Sequence, residues 1–71
     1  MEKMDTDEIK KLRILLDHWV KHNEDHAREY RNWATKMEAK GLKNLAQYLK
    51  NASSNTLDAN KDFISARKLL K

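Results

Sequence analysis

Three histidines, His18, His22 and His26, follow one another at steps of four residues. On an α-helix a step of four turns the chain by about 400°, so such residues form a slowly drifting row along one side. Two imidazoles one turn apart can hold a single first-row transition metal, as the paired histidines of His-Glu-x-x-His zinc sites do. Imidazole suits zinc, nickel, copper and iron. His22 and His26 are the leading pair here, with Glu29 as a third candidate ligand and His18 as a further one. Asn23 is a candidate supporting residue beside them. The competing expectation is a polar layer inside a helical seam. In that layer His26 hydrogen-bonds Thr56 or Asn23, His22 packs on an aromatic ring and His18 is solvated, so that the layer fixes helix register and oligomeric state. An isolated His-x-x-x-His is more often such a layer; a third imidazole in register and a nearby carboxylate strengthen the metal reading.

Little else in the chain has the setting for chemistry. No serine, lysine or carboxylate pair is placed as an activated nucleophile or an acid–base couple, and one glycine cannot make a phosphate-cradling loop, so an enzyme is not expected. Trp19, Trp33, Tyr30 and Phe63 recur at heptad spacing, which marks packing positions rather than a ligand cage. Asp17, Glu24 and Asp25 lie mostly away from that seam and read as a solvated face. Lys61, Arg67, Lys68 and Lys71 suit a helix C-terminus and its dipole.

The histidine row needs a helix to carry it, and the composition supplies one. The 71 residues contain no proline and a single glycine, with 37% charged side chains, the profile of a highly helical chain. Asp5 and Glu8 form a capping box at its start, after a short tail over Met1 to Met4. Ile9, Leu12, Leu16, Trp19, Asn23, His26, Tyr30, Trp33 and Met37 then alternate three and four apart, a heptad seam widened by Leu15, Val20, Ala27 and Ala34. Gly41 ends the run in the left-handed conformation that closes helices. Beyond it Leu42, Leu45, Leu49, Ala52, Thr56, Ala59, Phe63, Ala66 and Leu70 restart the pattern. The expectation is an all-α antiparallel hairpin forming one helical domain over 1–71, with helix one at about 5–40 and helix two at about 42–70. A break near Ser53 to Asn55, in a stretch of cap- and turn-preferring residues, would give three helices instead. Folding about Gly41 places Trp19 level with Phe63, and His26 level with Thr56.

A chain of this size buries too little to be comfortable alone, and it has no cysteine for disulfides. Two helices cannot shelter two tryptophans, a tyrosine and a phenylalanine from water. The expectation is therefore a homodimer, two hairpins forming a four-helix bundle, with a further protein partner as another use of the same surface. The net charge of +4 is spread through alternating acids and bases, unlike a nucleic-acid footprint. The longest apolar run is Ile14-Leu15-Leu16, too short to span a membrane, and no secretory signal is visible, so a cytoplasmic location is expected.

The segment His18-Trp19-x-x-His22-Asn23-x-x-His26-Ala27-x-x-Tyr30-x-x-Trp33-Ala34 resembles a small uncharacterised prokaryotic helical module with the pattern His-Trp-x-x-His-Asn-x-x-His-Ala-x-x-Phe-x-x-Trp-Ala. In that module a glycine and a second amphipathic helix follow. The resemblance runs from Leu15 to Leu70. Tyr30 stands for the usual phenylalanine, and the Asn-Ser-Ser-Asn-Thr stretch replaces a second helix rich in Glu and Ala. Such modules occur free-standing and attached to small proteins of nickel handling and carbon monoxide dehydrogenase maturation. The resemblance thus implies transition-metal binding, nickel or zinc, at His18, His22 and His26.

Overall fold

A computed structural model describes residues 6–70 of the chain. The proposed cap at Asp5 and the tail before it lie outside the described residues. Two helices form an antiparallel hairpin 58 Å long and 15 × 13 Å in section: α1, Thr6–Ala39, and α2, Lys43–Leu69. The second helix runs unbroken through Asn51 to Thr56. Its polar side chains find partners without leaving helical geometry: Thr56 Oγ1 donates to the Ala52 carbonyl, and Ser53 Oγ to the Ala27 carbonyl across the hairpin. No described helix is long and apolar enough to cross a membrane.

The turn is built as the glycine predicts. Gly41 has φ +85. Its amide donates to the Glu38 carbonyl, while the Leu42 amide reaches back to the Met37 carbonyl. Those two bonds are the paired closure of a Schellman cap, which satisfies carbonyls that the end of α1 would otherwise leave open. Lys50 Nζ joins Glu38 beside the turn at 3.2 Å. At the far end Arg13 Nε and Arg67 Nη1 both donate to the Leu70 carbonyl at 3.0 Å, and Arg67 Nε meets Asp17 Oδ1 at 3.0 Å. Guanidinium groups there complement the negative end of the α2 dipole.

Between these fastenings the helices touch along a line that lies at one edge of the expected seam on α1 and off it on α2. The buried side chains of α1 are Leu16, Ala27 and Ala34; those of α2 are Ala46, Ser53 and Asn60, one every seven residues. All but Leu16 and Asn60 are very small. Small side chains let two backbones approach closely, whereas indoles and leucines cannot fit in the line of closest approach. At 100° per residue, the buried line stands about 50° from the centre of the expected seam on α1 and about 80° on α2. Both rotations run toward the same side of the hairpin. The large apolar residues consequently share one open face: Trp19 is 37% exposed and Trp33 is 49% exposed, with Leu12, Leu15, Leu42 and Leu45 also accessible. The longitudinal register is nonetheless as expected, for Trp19 and Phe63 meet with ring centroids 5.7 Å apart.

Candidate metal-binding site

The described part of α1 is uninterrupted from Thr6 to Ala39, so the imidazoles keep the spacing that the sequence dictates. His18 stacks on His22 with centroids 5.7 Å apart and planes 20° from parallel. His22 meets His26 edge-on at 4.3 Å, and His26 stacks on Tyr30 at 5.9 Å. The result is a ladder of four rings up the rim of the open face. Within it only His22 and His26 bring nitrogen atoms together, with Nε2 to Nε2 at 2.9 Å.

That separation has a chemical meaning. With one proton between them, the rings form an N–H···N hydrogen bond. With a cation in place of the proton, two nitrogens each roughly 2.0–2.1 Å from it span about 2.9 Å at a right angle and about 3.3 Å at the tetrahedral angle. The pair therefore has the bite of two adjacent ligands, and a few tenths of an ångström of ring motion covers both geometries.

Glu29 stands on the other side of His26. Its Oε1 lies 3.5 Å from Nδ1, the ring nitrogen not facing His22. A carboxylate there favours the tautomer carrying hydrogen on Nδ1, which leaves the Nε2 lone pair free and directed at the space between the rings. Sequence spacing offers Glu29 as a ligand; in the structure its carboxylate faces Nδ1 of His26 and not the Nε2 that meets His22. His18 touches the pair through ring stacking rather than through a nitrogen. Among the described residues no group of three or more His, Cys, Asp or Glu side chains converges as a metal site. One hairpin thus presents two donors and a supporting carboxylate.

The other polar side chains at this level bond along and between the helices. Thr56 gives its hydroxyl to Ala52. Asn23 Nδ2 donates to Asn60 Oδ1 at 2.9 Å, and Asn60 Nδ2 donates to the Val20 carbonyl at 3.0 Å. Asn23 therefore acts as a strut between helices and not as a support for an imidazole. Asn60 was not marked by the heptad pattern; the signal for it is the seven-residue recurrence of the short residues Ala46, Ser53 and Asn60. No buried side-chain nitrogen or oxygen among the described residues lacks a partner.

His22 borders an open groove of about 560 Å³ on the aromatic face, lined also by Trp19, Asn23, Asn55, Thr56, Ala59 and Phe63. The groove exists because Thr56 and Ala59 are small and stand beside bulky Trp19 and Phe63. On the opposite, solvated side Asp25 accepts a hydrogen bond from Arg28 at 3.3 Å and lies 3.6 Å from Lys21. The Arg28 hydrogen bond, assisted by the Lys21 charge, holds the Asp25 carboxyl below its usual range.

Comparison with known proteins gives no match to a curated protein and none to a solved structure. The model of one family, described as a domain of unknown function (DUF8180), matches residues 12–70. That span takes in both helices from Leu12 onward, the three histidines and the turn at Gly41, and the chain belongs to this family.

Proposed function

We propose that the protein binds a divalent transition metal ion, nickel or zinc, through Nε2 of His22 and Nε2 of His26. The observation that carries this reading is the convergence of those two nitrogens to 2.9 Å on an accessible rim, with Glu29 behind Nδ1 of His26. The carboxylate–imidazole–metal arrangement is the usual way a protein fixes a ligating ring and raises its basicity. The role is one of holding an ion rather than of catalysis.

Calorimetric titration of protein purified without a metal resin tests it. Ni(II) and Zn(II) should bind with saturable heat, and the His22→Ala/His26→Ala double variant should lose that heat while keeping its helical circular dichroism. Equal heats from the two proteins would defeat the reading.

A second reading rests on a different observation, the aromatic face that two helices leave open. It makes the hairpin a self-association module, two copies closing a four-helix bundle as a homodimer. In a square bundle each helix directs its core stripe along the diagonal, about 45° from the line to its neighbour. The apolar seams stand about 50° and about 80° from the line joining α1 and α2, which suits four helices better than two.

A further inference from the structure

The metal pair sits at a special height. α1 spans Thr6–Ala39, and His22 and His26 bracket its midpoint. In azimuth His26 lies about 85° from the buried line of α1, so it projects nearly straight out of the plane of the hairpin, on the side of the open face. A residue that is both at mid-length and on the normal to a face has one distinctive property: when two copies stack face to face in opposite directions, it meets itself.

We infer that a second copy of this chain covers the aromatic face with its α1 antiparallel to the first α1, and that the two His22–His26 pairs meet across the two-fold axis to form one intersubunit centre of four imidazoles. This rests on the bis-histidine reading above and adds what that reading lacks. One hairpin supplies two donors, and no third donor converges on them among the described residues. Closed transition-metal sites take four. A two-fold axis crossing α1 beside Glu24 and Asp25 doubles the donor set without calling on any other residue.

The same axis matches the rest of the face. It brings Leu12 of one copy level with Met37 of the other, Leu16 with Trp33, and Trp19 with Tyr30, so apolar groups oppose apolar groups at these three levels while Asn23 and His26 come level at the centre. The seam positions of α1 and α2 carry no Lys, Arg, Asp or Glu in a chain that is 37% charged, the composition of a surface that another surface covers. Its dimensions agree as well. A face 58 Å by 15 Å is on the scale of the roughly 800 Å² that each partner contributes to a stable interface.

The test uses the full chain, purified without metal resin, and Ni(II) as the probe. Equilibrium dialysis gives the metal-to-chain ratio and sedimentation gives the mass of the loaded species. The inference expects about one Ni(II) per two chains on a particle of about twice 8.4 kDa, and expects saturating Ni(II) to lower the chain concentration at half-dimerisation by about tenfold or more. A Trp33→Lys variant should weaken both pairing and Ni(II) binding together. One ion per chain, on monomer or dimer, overturns the shared centre and leaves the bis-histidine reading intact. No bound Ni(II) removes both. Because the wild-type ratio is decisive by itself, a Trp33→Lys chain that does not fold leaves the test standing.

Discussion

Glu29 shows how a residue's role is set by which atom it faces. Its position three after His26 permits a ligand, but its carboxylate stands 3.5 Å from Nδ1 while Nε2 faces His22. An orienting carboxylate tunes affinity, whereas a ligand makes the site. Glu29→Gln should therefore weaken Ni(II) binding by about 10- to 100-fold and leave it measurable by calorimetry; His26→Ala should abolish it. A Glu29→Gln loss as complete as that of His26→Ala would return Glu29 to the ligand set. Asp25 offers a check on the opposite face. Its carboxyl is held low by the Arg28 hydrogen bond and the Lys21 charge, so the ionised form is favoured in the folded state. The associated stabilisation is present above the ordinary carboxylate range and is lost as pH falls through the lowered value. Arg28→Ala should move the Asp25 titration, followed by carboxyl NMR, back toward its ordinary range. An unmoved midpoint would assign the shift to another cause.

At the scale of the helices, the sequence announced the elements, the turn and the α1 residues of the contact (Leu16, Ala27 and Ala34), but not the line along which α2 touches them. Two uninterrupted three–four alternations and one glycine leave little choice of architecture, and Gly41, Met37 and Leu42 close the turn as such a glycine requires. Heptad reading follows large apolar residues, and those mark the side of a helix that seeks burial in the finished assembly. Contact within one hairpin is instead governed by which residues are short enough to let backbones close. That is why Ser53, 0% exposed, and Asn60, 4% exposed, sit at the centre while Trp33 stands outside. Two substitutions separate the ideas. Ser53→Ala removes the bond to the Ala27 carbonyl and should cost about 1 kcal/mol. Ala27→Leu forces a large side chain into the closest approach and should cost about 1–3 kcal/mol. Urea unfolding monitored by circular dichroism measures both; a stabilising Ala27→Leu would mean that the seam, and not the small-residue line, joins the helices. Gly41→Ala probes the turn separately. A Cβ there meets nothing within 4 Å, so its cost of about 1–2 kcal/mol should come from the left-handed backbone alone.

For the whole molecule the question is what makes so thin an object stable. The buried apolar side chains among the described residues are Leu16, Ala27, Ala34 and Ala46, and three alanines and a leucine remove little apolar area from water. Ile9, Val20, Tyr30, Met37, Leu49 and Phe63 are covered only in part, and a second layer would complete their burial. The large side chains that such a layer would cover, Trp19, Trp33, Leu12, Leu15 and Leu45, are on the open face. Folding and pairing should then be one transition, with stability depending on how much chain is present. A hundredfold rise in chain concentration adds about 2.7 kcal/mol to such a dimer. Divided by an unfolding entropy of about 2.1 cal/mol/K per residue over both chains, this raises the thermal midpoint by about 10 °C. Thermal scans of metal-free protein by circular dichroism at both ends of that range measure the shift directly. Trp33→Glu, which places a charge on the face without touching the hairpin's own contact line, should lower the midpoint at every concentration. A wild-type midpoint that stays fixed over the hundredfold range would show that the hairpin stands alone, and the open face would then need another explanation than a second copy.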